Sequence, residues 1–350
     1  MLIKRDTILV VDDMEVNRAI LCEIFHDDYR ILEANNGRKA LEIIEAEEER
    51  LAIILLDIVM PEMDGFQVLE NIYQTVMKEV PVMLITGDTT AMPEERGFDL
   101  GVADVVRKPF EPHIIRRRVA NVVNIWDHKN NLEELVKEQT VQLRETTNKI
   151  IDTLSTVVEF RDLESGEHIN RIKGFTRILL NYVMKHYKEY GITEEQKEKI
   201  VQASVMHDVG KIAIPDHILL KPGKLTDEEF AIMKQHTVKG CDIINTISFI
   251  DDKEFFRYCY EICRHHHERY DGRGYPDCLE GENIPISAQI VSLADVYDAL
   301  VSDRVYKKAF SPDQAFEMIQ AGQCGTFSPK ILNCFKMAKG EFEELKKSLG

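Results

Sequence analysis

A chain of 350 residues is too long for one ordinary core and suits two domains plus a connector. Its 44% hydrophobic and 30% charged residues exclude a disordered chain, and its longest strongly apolar run, residues 51–60, is short for a membrane span and broken by Asp57. The net charge of −17 is uneven: residues 1–110 hold 11 Lys+Arg against 23 Asp+Glu, a balance of −12, and the other 240 hold 33 against 38, or −5. So acidic a first part argues against DNA or RNA as its partner, and an anionic substrate of the second part must be met by local cations. The opening Met-Leu-Ile-Lys-Arg-Asp lacks the apolar core and cleavage site of a signal peptide, so a cytoplasmic protein is expected. The seven cysteines are odd in number and scattered, which argues against a disulfide framework. Cys259 and Cys263, four apart before a run of histidines, read as buried core rather than a thiolate site.

Residues 7–125 alternate strand-like and helix-like runs. The strands are expected at Thr7–Val11, Arg30–Ala34, Leu51–Leu56, Pro81–Ile85 and Val102–Val106. Helical periodicity falls at roughly 14–26, 37–49, 66–79, 91–100 and 111–125. Strands apolar on both faces with helices between them call for a five-stranded parallel sheet in a doubly wound α/β fold, whose ligands gather at the carboxyl ends of the strands.

That edge collects chemistry. Asp12 and Asp13 follow the first strand, Asp57 the third, Thr86 ends the fourth, and Lys108-Pro109 follows the fifth. Three carboxylates in one place repel unless a hard cation joins them, and Mg²⁺ prefers such oxygen ligands. A lysine and a hydroxyl beside them suit phosphoryl oxygens, so phosphoryl transfer onto a carboxylate fits. With L-L-D-I-V-M-P-E-M-D-G around Asp57, I-T-G at Thr86 and K-P-F at Lys108, residues 1–125 resemble the receiver domain of two-component response regulators. The resemblance implies Asp57 as phosphoacceptor for a cognate histidine kinase. It also implies Mg²⁺ on Asp12, Asp13, Asp57 and the carbonyl of Val59, phosphoryl contacts from Thr86 and Lys108, and a cis bond before Pro109. One departure is Val105, which stands where the family usually has an aromatic switch residue.

From Pro112 to about Val158 no glycine or proline follows the first position, and apolar residues recur at 122, 125, 132, 136, 143, 150 and 157. This is close to a heptad seam, interrupted by Lys129, Gln139 and Thr146. Residues 112–158 are therefore expected to form a helical linker and weak coiled coil joining two copies, in preference to a solvated helix packed within one chain.

Residues 155–350 read as an all-α bundle, with helical runs at Arg171–Lys188, Glu194–Met206, Asp227–Asn245 and Ala288–Leu300, and a loop at about 271–287. Most histidines lie between 168 and 267. His207-Asp208 stands in M-H-D-V-G-K, His236 in K-Q-H-T-V-K-G, His265-His266-His267 before E-R-Y-D-G-R-G-Y-P, and Asp295 in S-L-A-D-V-Y-D-A-L. Imidazoles and carboxylates from separate helices suit a di-metal hydrolase, in which two ions make a nucleophile from water at neutral pH and neutralise phosphoryl oxygens. The site offers histidine and carboxylate without cysteine, which favours Fe or Mn over Zn.

These motifs resemble the HD-GYP subgroup of HD-domain phosphohydrolases, which usually hydrolyse cyclic di-GMP to the linear dinucleotide and often to GMP. The resemblance implies Glu164, His168, His207, Asp208, His236, His266, His267 and Asp295 as metal ligands, with Asp208 as bridge. It makes Lys211, Arg304 and Lys307 the cations for the substrate phosphates, with Lys211 also aiding catalysis. Gly274-Tyr275-Pro276 becomes a loop for substrate access or a partner domain. Many relatives have tyrosine where Glu164 stands, and glutamate there goes with a third metal, which Glu164 and His168 could clamp from one helical face. The expected function is a response regulator in which phosphorylation of Asp57 controls metal-dependent hydrolysis of cyclic di-GMP. Hydrolysis of cyclic GMP-AMP and a non-catalytic scaffold that binds a partner protein remain as alternatives.

Overall fold

The computed structural model of the chain describes residues 5–73, 75–87, 92–161, 167–246, 252–303 and 308–349. These divide into two units, Met1–Gln142 and Leu143–Gly350.

Strands apolar on both faces must be covered on both faces, and the first unit does so by alternation. In chain order it has β1 (Thr7–Val11), α1 (Glu15–Phe25), β2 (Arg30–Ala34), α2 (Gly37–Glu47), β3 (Leu51–Asp57), α3 (Gly65–Ile72), β4 (Val82–Thr86), α4 (Met92–Asp99), β5 (Asp104–Arg107) and the start of α5 (Pro112–Arg161). All strand pairs are parallel and the order is β2-β1-β3-β4-β5, a doubly wound sheet. Period-two alternation splits its core in two. Leu9, Val11, Ile54, Leu56 and Leu84 face a layer that includes Ile44 and Leu69, while Ile8, Val10, Ile53, Leu55 and Ile85 face Leu21, Phe25, Ile115 and Val119. The helix expected over 66–79 stops at Ile72, and a separate 3₁₀ turn follows at Val76–Lys78.

Helix α5 changes character along its length. Val119, Val122 and Val123 are buried in the first core, so Val122 packs there rather than in an open seam. Ile125, Leu132, Val136, Leu143, Ile150 and Val157 are each more than half exposed. Near its end Ile151, Ser155, Val158 and Glu159 are buried again.

The second unit continues with α6 (Glu167–His186), α7 (Glu194–Ala203), α8 (Asp216–Leu219), α9 (Asp227–Lys234), α10 (His236–Thr246), α11 (Lys253–His265), α12 (Ile286–Val301), α13 (Pro312–Gln320), α14 (Pro329–Met337) and α15 (Lys339–Ser348). Its core is aromatic at the centre: Phe175 stacks on Phe342 at 4.7 Å between centroids, and Tyr297 meets Phe175 edge-on at 5.1 Å. Cys259 and Cys263 are buried in the same core. Among the described residues no helix is long and apolar enough to cross a membrane.

The single helix expected over Asp227–Asn245 is two. The Gln235 amide bonds the carbonyl of Ile232 at 3.0 Å, a tightened last turn, while the His236 ring takes the Met233 carbonyl at 2.8 Å. The break puts His236 at the first position of α10, and Gly210 fixes that helix. A Cβ on Gly210 would overlap the His236 carbonyl oxygen, so the segment carrying Asp208 and Lys211 lies directly on the α10 backbone. Gly210→Ala is expected to destabilise the second unit by about 1–3 kcal/mol or more, the scale of overpacking against backbone. Thermal unfolding followed by near-UV dichroism should then show a lowered transition, and an unchanged midpoint would contradict this packing.

Candidate functional site

At the carboxyl edge of the sheet, Asp12, Asp57 and Thr86 are buried, while Asp13 is exposed and Val59 is 72% exposed. Lys108 Nζ lies 2.8 Å from Asp12 Oδ2 and 2.9 Å from Asp57 Oδ2. Asp12, Asp13 and Asp57 offer oxygens that all lie within 4.8 Å of one another, so they could hold one hard cation. The Lys108–Pro109 bond is cis. Burial raises the Asp57 carboxyl, with Asp12 adding to it and Lys108 opposing. Burial disfavours the Lys108 charge, yet hydrogen bonds to Asp12 and Asp57 outweigh it and raise the ammonium. Two supports were not foreseen. Asn17 donates to both Asp12 oxygens at 3.1 and 3.0 Å, and a Cβ on Gly65 would overlap the Asp57 carbonyl. The glycine of M-D-G was the available signal for the second; Asn17 left none.

In the second unit five pieces of chain converge. His168 comes from α6, His207 and Asp208 from the turn after α7, His236 from the start of α10, His266 and His267 from the end of α11, and Asp295 from α12. One ring nitrogen of four histidines is committed elsewhere. Nδ1 of His207 is 2.9 Å from the Ser204 carbonyl, that of His236 is 2.8 Å from Met233, that of His266 is 3.0 Å from Ile262, and that of His168 is 2.7 Å from Asp298 Oδ2. An acceptor at Nδ1 places the proton there and leaves the lone pair on Nε2. The Nε2 atoms of His207, His236 and His266, with Asp208 Oδ1, are buried with no hydrogen-bond partner among the described residues. Lone pairs and carboxylate oxygens turned on one another out of water are the donor set of a cation.

Asp208 stands between the two halves. Its Oδ1 is 3.3 Å from His236 Nε2 and 3.5 Å from His266 Nε2, and its Oδ2 is 3.3 Å from His207 Nε2 and 2.8 Å from Lys211 Nζ. One group of possible ligands is therefore Asp208, His236, His266 and His267, and a second is His168, His207 and Asp295. Both fit divalent cations, with a carboxylate placed to be shared. Burial opposes charge throughout the cluster, but Lys211 and His207 hold the Asp208 carboxyl well below its ordinary range. Burial alone would keep His207 neutral, yet Asp208, then Asp295 and Glu159, pull its proton affinity up to about 10. The pocket asks for positive charge at these atoms.

The loop bearing Gly274, Tyr275 and Pro276 is built onto this cluster. A Cβ on Gly274 would overlap the Glu268 backbone, and the Tyr275 ring stacks on His267 at 4.7 Å between centroids. Glu268 accepts from the Asp277 amide at 2.8 Å and the Leu279 amide at 3.1 Å, tying the loop to the residue that follows His267. His265 turns away, with Nδ1 3.6 Å from Asp277. A cavity of about 310 Å³ opens beside Asp208, Lys211, His267 and Asp295, with Val296 and Leu300 on its apolar wall. Glu164, Arg304 and Lys307 lie outside the described residues. Asp298 and Glu268 escaped sequence reasoning, although Asp298 stands one helical turn after Asp295.

The raised Asp57 carboxyl gives a signed expectation. A carboxyl raised on folding adds stability below its unfolded pKa, and that stability is lost as pH rises through its folded pKa. At neutral pH without divalent cation its charge is a net cost. Asp57→Asn should raise the unfolding midpoint of the first unit by about 2–5 °C in chelator. A lowered midpoint would mean that the Lys108 pair outweighs burial.

The comparisons agree with this division of the chain. The model of the HD domain family matches residues 130–331, and that of the response regulator receiver domain matches residues 8–120. A Vibrio cholerae protein named "Probable cyclic di-GMP phosphodiesterase" is 33% identical, covering 97% of this chain and 79% of its own. The "Cyclic di-GMP phosphodiesterase response regulator RpfG" of Xanthomonas campestris pv. campestris is 31% identical over 97% of this chain and 89% of its own. A "3'3'-cGAMP-specific phosphodiesterase 2" of Vibrio cholerae is 38% identical over 60% of this chain and 38% of its own. With a parallel sheet edged by Asp12, Asp57 and Lys108, and a helical unit centred on His207-Asp208, the chain belongs to the HD domain family and carries a response regulator receiver domain.

Proposed function

We propose that the chain is a response regulator whose receiver, phosphorylated on Asp57 by a cognate histidine kinase in the cytoplasm, controls hydrolysis of cyclic di-GMP to the linear dinucleotide, GMP or both. The observation that carries this is Asp208, set between two groups of inward-turned imidazole nitrogens beside an open cavity that also holds Lys211. Three relatives aligned over 97% of this chain bear cyclic di-GMP phosphodiesterase names. A second reading, cyclic GMP-AMP as substrate, rests on the shorter 38% match to a 3'3'-cGAMP-specific phosphodiesterase, an identity that a Vibrio cholerae cyclic di-GMP phosphodiesterase shares over 62% of this chain.

His207, Asp208, His236, His266, His267 and Asp295 would hold two ions, Fe or Mn in preference to Zn for a site without cysteine, and Glu164 with His168 would clamp a third. Such ions, when bound, neutralise phosphoryl oxygens and lower the pKa of water. The protein's own contributions are positional. Lys211 holds Asp208 by its Oδ2 and brings a cation to the cavity for a phosphate oxygen. Arg304 and Lys307 would serve the remaining phosphate charge. Tyr275 packs over His267 and fixes its ring plane, while Val296 and Leu300 offer an apolar wall to a base. In the receiver, Asp12, Asp13, Asp57 and the Val59 carbonyl would take Mg²⁺, and Thr86 and Lys108 would meet the phosphoryl group. The exposed seam of α5 would pair two copies, and the Gly274–Pro276 loop would sit at the substrate entrance or against a partner domain.

Metal-loaded full-length protein given cyclic di-GMP and cyclic GMP-AMP side by side should release linear dinucleotide or GMP faster from cyclic di-GMP. Asp208→Asn should lower that rate at least a hundredfold. Equal inactivity of wild type and variant on both would leave only the scaffold reading. Beryllofluoride should change turnover or dimerisation several-fold, a coupling of roughly 1–3 kcal/mol, and Asp57→Asn should abolish both that response and labelling by acetyl phosphate. Identical turnover and mass with and without the mimic would remove phosphorylation control.

A further inference from the structure

We propose that Glu159 is a carboxylate ligand of the outer cation, shared with His168. This rests on the metal-centre reading above and adds to it a ligand supplied by helix α5. Glu159 lies in the last turns of α5, is 5% exposed, and places Oε1 3.4 Å from Nε2 of His168. The other ring nitrogen of His168 is engaged: Nδ1 is 2.7 Å from Asp298 Oδ2, and Asp298 is held by Arg171 Nε at 2.5 Å and Nη2 at 3.0 Å. Arg171 and Asp298 are themselves buried, so this support is built into the core.

The chemistry follows from the proton count. With Nδ1–H donated to Asp298, His168 points a lone pair at a carboxylate oxygen, and the two repel unless a cation lies between them. A carboxylate supporting a histidine from behind is the usual setting of a metal-bound imidazole. The separation also fits. With bonds of about 2.1 Å, a nitrogen and an oxygen on one ion at right-angled to tetrahedral geometry stand roughly 3.0–3.4 Å apart. His207 and Asp295 offer further ligand atoms within 4.8 Å of those of His168, so the ion would border the inner pair.

Glu159 belongs to none of the sequence motifs; it precedes R-D-L-E-S-G-E-H and sits on the helix that begins at Pro112. A ligand on that helix makes outer-site occupancy depend on where the last turns of α5 rest. The rival arrangement is a doubly protonated His168 held between Glu159 and Asp298, with no role for metal.

Mn²⁺ titrated into metal-depleted full-length protein, with free Mn²⁺ read by paramagnetic resonance, separates the two. Wild type should bind about one ion per chain more than Glu159→Gln, or bind its last ion at least tenfold more tightly. Glu159→His, which restores a donor atom, should recover that ion. Uptake by Glu159→Gln equal to wild type overturns the proposal alone, as does loss in both variants accompanied by a lowered unfolding midpoint of the metal-free protein. A wild-type chain that takes up no Mn²⁺ in the second unit overturns the metal-centre reading and this proposal with it.

Discussion

A buried carboxylate must be compensated, and Asp208 shows how far the second unit is arranged around that requirement. Taking a carboxylate out of water costs several kcal/mol unless charge and hydrogen bonds replace the solvent. Around Asp208 that replacement is Lys211 on one oxygen, while the Nε2 lone pairs of His207, His236 and His266 that face its two oxygens leave the rest to be supplied by a cation. None of those imidazoles is oriented by Asp208 itself. Each is turned inward by a backbone carbonyl behind its Nδ1, from Ser204, Met233 or Ile262. The 3₁₀ turn at Ser204–Met206, the break at Gln235 and the end of α11 are thus the local structures that aim the site.

The receiver answers the same requirement differently. Asp12 and Asp57 share one cation, Lys108, whose Nζ reaches both. A pocket whose charge balance rests on one lysine side chain could trade those contacts for others, which suits a site that would be modified and restored. The second site is preorganised by backbone and by buried partners such as Arg171–Asp298, which suits a site whose geometry must persist through turnover.

The strands, their order class and the side chains that the structure gathers at Asp57 and Asp208 were legible because they rest on short-range signals. β1 and β3 are buried throughout and apolar apart from Thr7 and Asp57, and the Asp-Asp, D-G, H-D and H-H motifs are contiguous. What stayed hidden depends on tertiary contacts. Asn17 supports Asp12 from five residues away, Asp298 supports His168 across 130, and Glu159 reaches His168 from a helix whose pattern reads as linker. The helix break at Gln235 was invisible because no glycine or proline marks it; the His236 ring competes for the Met233 carbonyl only once it is turned toward Asp208. Glu164, Arg304 and Lys307 fall outside the described residues and stand as the motifs left them.

Helix α5 brings these arguments together. Its two ends are secured by burial, Val119, Val122 and Val123 at one and Ile151 and Val158 at the other. Between them an isolated helix is marginal in water, because propensity alone rarely sustains one. A surface pair such as Lys129–Glu133 at 3.9 Å adds at most a few tenths of a kcal/mol. Six exposed apolar residues at heptad-like spacing are surplus to a helix meant only to stand in solvent. Pairing them with a second copy would remove several apolar side chains from water, each worth up to about 1.5–3 kcal/mol when fully buried. Lys129, Gln139 and Thr146 keep that gain small, since a polar residue at a core position trades stability for register. A seam of this kind can favour one of two closely matched packings, and Glu159, at the end of the same helix, is where a change of packing would reach the cation site.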